Sequence, residues 1–251
     1  MLVNIVIPVF ADDIDDETLD YTLLQEDILN ANSNISGAPQ IYSRSAIVYD
    51  RTTKQILYGK NENTERPMAS TTKIMTAIIL IENSDLSQTV EVCKEAASVG
   101  GSTLGISTGD KITLNDLLYG LMLRSGNDAA VQIAITVAGS VESFAELMNN
   151  KTKELGLTHT HFVTPHGLDS EKHYTTAYEL AVITDYALQN PIFAKVVSTK
   201  TATISINGLP KTINNTNELL GSLQGVNGVK TGFTNGAFRC LVTSVNRNNF
   251  N

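Results

Sequence analysis

Residues 67–83 read PMASTTKIMTAIILIEN. After Thr72 the run is apolar up to Glu82, apart from Lys73 and Thr76, and it predicts an apolar helix beginning at Ser70. A lysine among Ile74, Met75, Ala77, Ile78, Ile79, Leu80 and Ile81 is costly unless something uses it. On a helix, positions i and i+3 share a face, so Ser70 Oγ and the Lys73 amine come within hydrogen-bond reach. Apolar surroundings lower the pKa of a lysine, and a neutral amine accepts a proton. A serine hydroxyl is a poor nucleophile until a neighbouring base takes its proton. The first turn of a helix also offers backbone N–H groups suited to an oxyanion. The bland alternative makes Ser70, Thr71 and Thr72 capping residues and lets Lys73 snorkel to solvent. S-x-x-K arises by chance roughly once in a couple of hundred residues, so alone it decides nothing.

Two further motifs accompany it. Ser125-Gly126-Asn127 interrupts a second apolar region, and Lys230-Thr231-Gly232 lies on a late strand candidate. Each has an ordinary reading, as a helix–helix turn and as the end of an edge strand. A K-T-G triplet, however, is expected only about once in several thousand residues of average composition. The three together, in this order, make a strong joint signal.

The flanking segments indicate the architecture. SAIVYD (45–50) and QILYGK (55–60) enclose a polar RTTK and predict a β-hairpin. Residues 113–139 predict two helices broken at Ser125-Gly126-Asn127, with Thr113 as N-cap and Asp116 three residues on. Residues 140–157 predict an amphipathic helix with Phe144, Leu147 and Met148 on one face. TPHGLDS (164–170) has loop composition, and a capping box at Thr176 and Glu179 opens the next helix. TATISINGLPKTI contains Asn207-Gly208, a strong hairpin turn. GVNGVKTGFT (225–234) and CLVTSVN (240–246) predict another strand pair, and there is no internal repeat. Strands open and close the chain and helices fill its middle. That order predicts an α+β fold, an antiparallel sheet with a helical cluster.

The 251 residues suit one large domain or two modest ones. The net charge is −8 and there is no basic run, which argues against a nucleic-acid surface but allows an anionic substrate at a locally positive site. Cys93 and Cys240 form no CxxC pair and are read as unpaired thiols. His159, His161, His166 and His173 have no acidic or cysteine partner at zinc spacing and are read as surface or turn residues, not a metal site. No apolar run reaches the roughly 18 residues of a spanning helix. Residues 1–11 read as the later part of a secretory signal, cleaved after Ala11 and lacking a basic start. Residues 12–41 read as a loosely ordered lead-in to a catalytic domain over 42–251.

The chain is similar to the low-molecular-mass penicillin-binding proteins that act as serine-type D-alanyl-D-alanine carboxypeptidases, the S11 peptidases. The similarity runs over roughly residues 42–248, through PMASTTKIMTA, LLYGLMLRSGNDAA, FVTPHGLD, TTAYELA and GVNGVKTGFT. It implies a β-lactamase/transpeptidase-like fold. It implies that Ser70 attacks the carbonyl between two D-alanines of a peptidoglycan stem peptide, with Lys73 as base and Ser125 passing a proton to the leaving group. Asn127 would hold the peptide amide and the Lys73 amine, and Lys230 and Thr231 the terminal carboxylate. Gly232 would let the strand approach, and the N–H groups of Ser70 and Phe233 would form the oxyanion hole. β-Lactams would acylate the same serine. No metal or organic cofactor is implied. The expected location is extracytoplasmic, on the periplasmic or cell-wall side, after export.

Two rival readings share the fold. Class A β-lactamases activate deacylating water with a glutamate in E-x-x-x-N, and ELMNN at 146–150 matches that pattern. It falls inside the amphipathic helix, where a loop carboxylate facing the site is needed, so Glu146 is read as a solvated helix residue. A non-catalytic murein-binding protein would have no use for Ser70, Lys73, Ser125, Asn127 and Lys230 together. The chain departs from the resemblance in two places. TNGAFRC replaces the usual Ala-Gly pair after K-T-G, placing Phe238 and Arg239 at the rim. Relatives also continue with another strand, a C-terminal helix and often an amphipathic membrane anchor. The sequence stops at Asn251, so the expectation is an incomplete domain, less stable than a lengthened chain and without that membrane contact.

Overall fold

The computed structural model describes residues 40–247. The signal-sequence reading of 1–11 and nearly all of the lead-in at 12–41 lie outside the described residues. The first elements are β1 (Ala46–Asp50) and β2 (Gln55–Lys60), the antiparallel hairpin expected around RTTK. Arg51 and Lys54 at its turn donate to the two carboxylate oxygens of Asp185, at 2.7 and 2.6 Å, and fasten the hairpin to a later helix.

A 3₁₀ turn, Ala69–Thr72, precedes α1 (Lys73–Asn83). The expected helix start at Ser70 is thus displaced, and α geometry begins only at Lys73. Ala69 has φ +47°, and the hydroxyls of Thr71 and Thr72 fold back onto the carbonyls of Met68 and Ala69. These side-chain bonds compete with α geometry in the first turn. Next come β3 (Thr89–Glu91), α2 (Lys94–Ala97), β4 (Lys111–Thr113), α3 (Leu114–Leu123), α4 (Asn127–Ala138) and α5 (Val141–Glu154). The chain continues through α6 (Ala177–Leu188), α7 (Pro191–Val197), β5 (Thr201–Ile206), β6 (Leu209–Asn214), β7 (Val226–Thr234) and β8 (Phe238–Val245).

Helix α1 packs against each of α3, α4, α5, α6 and α7, and every residue from Lys73 to Leu80 is buried. A helix enclosed on all sides is apolar all round, which explains why the sequence shows no polar face there. Ile74, Met75, Ile78, Ile79 and Leu80 each contribute about 2 kcal/mol of burial. The helix starts follow the capping chemistry read from the sequence. Thr113, Ser140 and Thr176 accept from the N–H groups of Asp116, Ser143 and Glu179, and Asn190 with Pro191 begins α7. Only half of the Thr176–Glu179 capping box forms. The Glu179 carboxylate instead accepts from the N–H groups of Thr158 and His159.

The fold is α+β with antiparallel strands, as expected. Among the described residues each strand pairs with its chain neighbour, giving four two-stranded ladders instead of one continuous sheet. Asn207 and Gly208 take φ +55° and +77°, the left-handed pair that a two-residue hairpin turn requires. The β7–β8 ladder packs on the 3₁₀ turn, so Ser70 lies between the strands and the helical core.

Between α3 and α4 the chain turns through Ser125, at φ +59°. Asp128, in the first turn of α4, is 2% exposed and accepts from the N–H groups of Leu104, Gly105 and Ile106 at 2.8, 2.8 and 3.2 Å. It ties loop 100–106 to the motif. Asp128→Ala strands these donors, and the expected loss is roughly 3 kcal/mol of unfolding free energy in urea. Asp128→Asn, which keeps one carbonyl acceptor, should lose less. Equal losses for the two would show that the loop does not depend on these bonds.

Candidate active site

The 3₁₀ turn and the first turn of α1 bring Ser70 and Lys73 together, with Nζ 2.9 Å from Oγ. Lys73 is fully buried, and its Nζ also lies 2.7 Å from Asn127 Oδ1 and 2.9 Å from the carbonyl oxygen of His166. Burial pushes its pKa well below the ordinary lysine value, and the charge of nearby Lys230 pushes it further, while Asp128 opposes both. A neutral amine has two N–H donors and one lone pair. The amide and peptide carbonyls only accept, so they take the two hydrogens. The lone pair is left for the hydroxyl of Ser70, the one neighbour able to donate.

Asn127 is held on both sides. Its Nδ2 donates to the Gly100 carbonyl at 2.7 Å, and its backbone N–H to the Ser102 carbonyl at 2.8 Å. Ser125 is buried two residues earlier, in the left-handed turn that starts the motif.

On the other side lies β7. Lys230 is 1% exposed, its Nζ donates to the Thr231 carbonyl at 2.8 Å, and burial lowers its pKa to about 7. Thr231 Oγ1 is 2.8 Å from Thr216 Oγ1. At Gly232 a Cβ would stand 2.9 Å from Ser70 N and 3.1 Å from Ala69 Cβ, so the strand approaches the serine only because this residue has no side chain. Phe233, next along, is 51% exposed at the rim. Ser70, Lys73, Asn127 and Gly232 are therefore joined by direct distances, and the remaining predicted residues adjoin them in chain.

Some contributors carry no motif. Asp169 accepts from Thr234 Oγ1 at 2.6 Å and Gly236 N–H at 2.9 Å, pinning loop 164–170 to the β7–β8 turn. The reading of all four histidines as surface or turn residues fails for two of them. His166 and His173 are 8% and 2% exposed, because loop 164–170 and the segment after it are packed against the 3₁₀ turn. His159 is the exposed partner of Glu65. Cys93 and Cys240 are free thiols, and among the described residues no three metal-ligating side chains gather. Glu146 is exposed on α5, as expected.

The family profile of the D-alanyl-D-alanine carboxypeptidases, peptidase S11, matches residues 32–251. The chain belongs to this family. It is 38% identical over 213 residues to the D-alanyl-D-alanine carboxypeptidase DacF of Bacillus subtilis, covering 82% of this chain and 55% of that one. The D-alanyl-D-alanine carboxypeptidase of Streptomyces sp. K15 is 36% identical over 227 residues, 83% of this chain and 78% of its own. A point mutant of the Streptomyces K15 DD-transpeptidase superposes with a TM-score of 0.81 at 35% identity, over 84% of this chain and 88% of that one. The chain thus spans little more than half the length of some curated relatives it matches, 55% for DacF.

Burial lowers His166 and His173 to pKa values of about 4 from 6.5, helped at His166 by the Lys73 charge and at His173 by His161. A depressed folded-state pKa means that the unfolded chain binds more protons in this window. The contribution of these two histidines to stability is therefore full above pH ~6.5 and is lost as pH falls toward ~4. The expected loss is about 3 kcal/mol per histidine. Urea unfolding at several pH values, beside NMR titration of both rings, checks this. Ordinary histidine pKa values in the folded chain would refute it.

Proposed function

We propose that this chain is a serine D-Ala-D-Ala carboxypeptidase that removes the terminal D-alanine from peptidoglycan stem pentapeptides through an acyl-enzyme. The observation that carries this reading is the three-oxygen setting of Lys73 Nζ, which leaves a neutral amine's lone pair facing Ser70. Ser70 Oγ attacks the carbonyl carbon between the two D-alanines while its proton passes to Lys73. The oxyanion develops against the N–H groups of Ser70 and Phe233. Lys73 returns that proton by way of Ser125, whose hydroxyl passes its own hydrogen to the departing D-alanine nitrogen, and water then hydrolyses the ester, giving a hydrogen back to Ser70 Oγ. Lys230 and Thr231 hold the terminal carboxylate, the local positive charge that a chain of net charge −8 needs.

β-Lactams would enter by the same attack and acylate Ser70. On this reading the enzyme works outside the cytoplasm, on the periplasmic or cell-wall side, and the signal-like sequence of residues 1–11 supports that location. The β-lactamase reading is disfavoured by the carboxylates. Glu146 is exposed on α5, Asp169 is committed to Thr234 and Gly236, and Asp128 to loop 100–106.

Intact-mass analysis after brief exposure to benzylpenicillin, beside Ser70→Ala, tests the reading. The expected result is one persistent adduct on the unaltered chain and none on the folded variant, with D-alanine released from a stem pentapeptide. Destruction of penicillin without an adduct would favour a β-lactamase. An inert but folded chain would sink the catalytic proposal.

Asn127→Asp places a carboxylate where Lys73 Nζ now meets an amide oxygen at 2.7 Å. It should raise the Lys73 pKa and keep the base protonated at neutral pH. Acylation at pH 7 is expected to fall by about tenfold or more, with its acid limb moved to higher pH. An unmoved pH profile would count against Lys73 as the base.

A further inference from the structure

Beneath the 3₁₀ turn runs a short chain of hydrogen bonds that none of the motifs contains. The Val163 N–H donates to His173 Nδ1 at 3.0 Å, so that nitrogen is an acceptor and carries no hydrogen. Burial keeps the ring neutral at pH 7, so the hydrogen sits on Nε2. His173 Nε2 is 2.8 Å from Thr72 Oγ1 and donates to it. The Thr72 hydroxyl then has its own hydrogen free, and donates it to the Ala69 carbonyl at 2.8 Å. The ring is fixed on its other side by Phe162, edge-on with centroids 5.7 Å apart.

The end of this chain matters because of what shares a plane with it. The Ala69 carbonyl and the Ser70 N–H belong to one peptide unit, which is planar, with N–H and C=O pointing in opposite directions. Fixing the carbonyl therefore fixes the direction of the Ser70 N–H. That N–H precedes the first bond of the 3₁₀ turn, from Thr71 N to the Met68 carbonyl, so it has no acceptor within the turn. Ala69 stands at φ +47°, a conformation an alanine adopts only when its surroundings hold it. Gly167 leaves room for the Ala69 carbonyl, since a Cβ there would overlap that oxygen and lie 2.6 Å from Thr72 Oγ1.

We propose that His173 and Thr72 are positioning residues that hold the Ala69–Ser70 peptide plane, and so aim the Ser70 N–H at the oxyanion. This rests on the acyl-transfer reading of the site. Neither residue touches the reacting atoms. Losing them lets the peptide rotate away from the strained orientation and costs transition-state stabilisation, with little effect on ground-state binding.

The test separates binding from acylation. Pre-acylation affinity and the acylation rate constant are measured with benzylpenicillin for Thr72→Val and His173→Leu, which break the chain, and for Thr72→Ser and His173→Gln, which can restore a donor. The breaking variants should acylate on the order of 10–100 times more slowly, below the loss of 10²–10³ seen when an oxyanion donor is removed outright. Their affinity should stay within about twofold, and the restoring variants should recover most of the rate. Long-range ¹⁵N–¹H correlation on the unaltered chain should show His173 protonated on Nε2 alone. A ring protonated on Nδ1, breaking variants that acylate at the full rate, or restoring variants as slow as the breaking ones would each overturn the inference. An unaltered chain that forms no adduct overturns the proposed function itself, and the positioning role with it. A breaking variant at the full rate beside an active parent leaves that function intact.

Discussion

Everything at this site follows from keeping an amine inside the helical core. Lys73 has no exposed surface, and its neighbours along α1 are the apolar residues that α3 to α7 enclose. Such an environment disfavours the ammonium form strongly. The amine is kept there by three oxygens, from Ser70, Asn127 and the His166 carbonyl, which arrive from three different segments. The packing of α1 thus both lowers the basicity of the lysine and sets the direction of its lone pair. The same contacts serve stability and chemistry, so the two cannot be varied separately here.

The second half of the site comes from β7, and the two halves meet through missing side chains. Gly232 brings the strand against Ser70, and Gly167 brings loop 164–170 against Ala69. Any larger residue at either place would have to move backbone, not a flexible side chain. Asp169 then holds the loop to the β7–β8 turn, so the wall opposite the serine is braced at both ends. Ala69 and Ser125, each at positive φ, mark where the chain is bent to bring the motifs together.

The elements that carry chemistry were legible because their residue types are rare in combination. Ser70, Lys73, Ser125, Asn127 and Lys230-Thr231-Gly232 could be read directly, as could the hairpin at Asn207-Gly208 and the caps at Thr113 and Thr176. What escaped was chemistry carried by commonplace residues over long sequence distances. Thr72 looked like one of several capping hydroxyls, yet its partner His173 lies 101 positions away. His166 contributes through its backbone carbonyl, which has no sequence signature at all. Asp128 stands next to a motif without belonging to it, and Glu179 read as half of a capping box, but both carboxylates reach out of their helices to loop N–H groups. The 3₁₀ start at Ala69 was hidden because Ser70, Thr71 and Thr72 read as the first residues of the apolar helix, whereas the Thr71 and Thr72 hydroxyls bond back to the carbonyls of Met68 and Ala69.

Two buried lysines set the remaining tension. Lys230 is 1% exposed with a pKa of about 7, and its charge is the second cause of the depression at Lys73. The unfolded chain keeps an ordinary lysine protonated up to pH ~10.5, so between that value and about 7 the folded chain holds fewer protons and its stability rises with pH. Near neutrality the folded chain therefore carries an unfavourable charge: Lys230 Nζ donates to the neutral Thr231 carbonyl, and among the described residues no carboxylate contacts it. A ligand carboxylate at that position would restore the ordinary preference of Lys230 for its proton and remove the penalty. On the proposed function the terminal carboxylate of the stem peptide is that group. Recognition and stability then pull in one direction, because the interaction that selects a peptide with a free C-terminus is also the one that relieves the strain of burying Lys230.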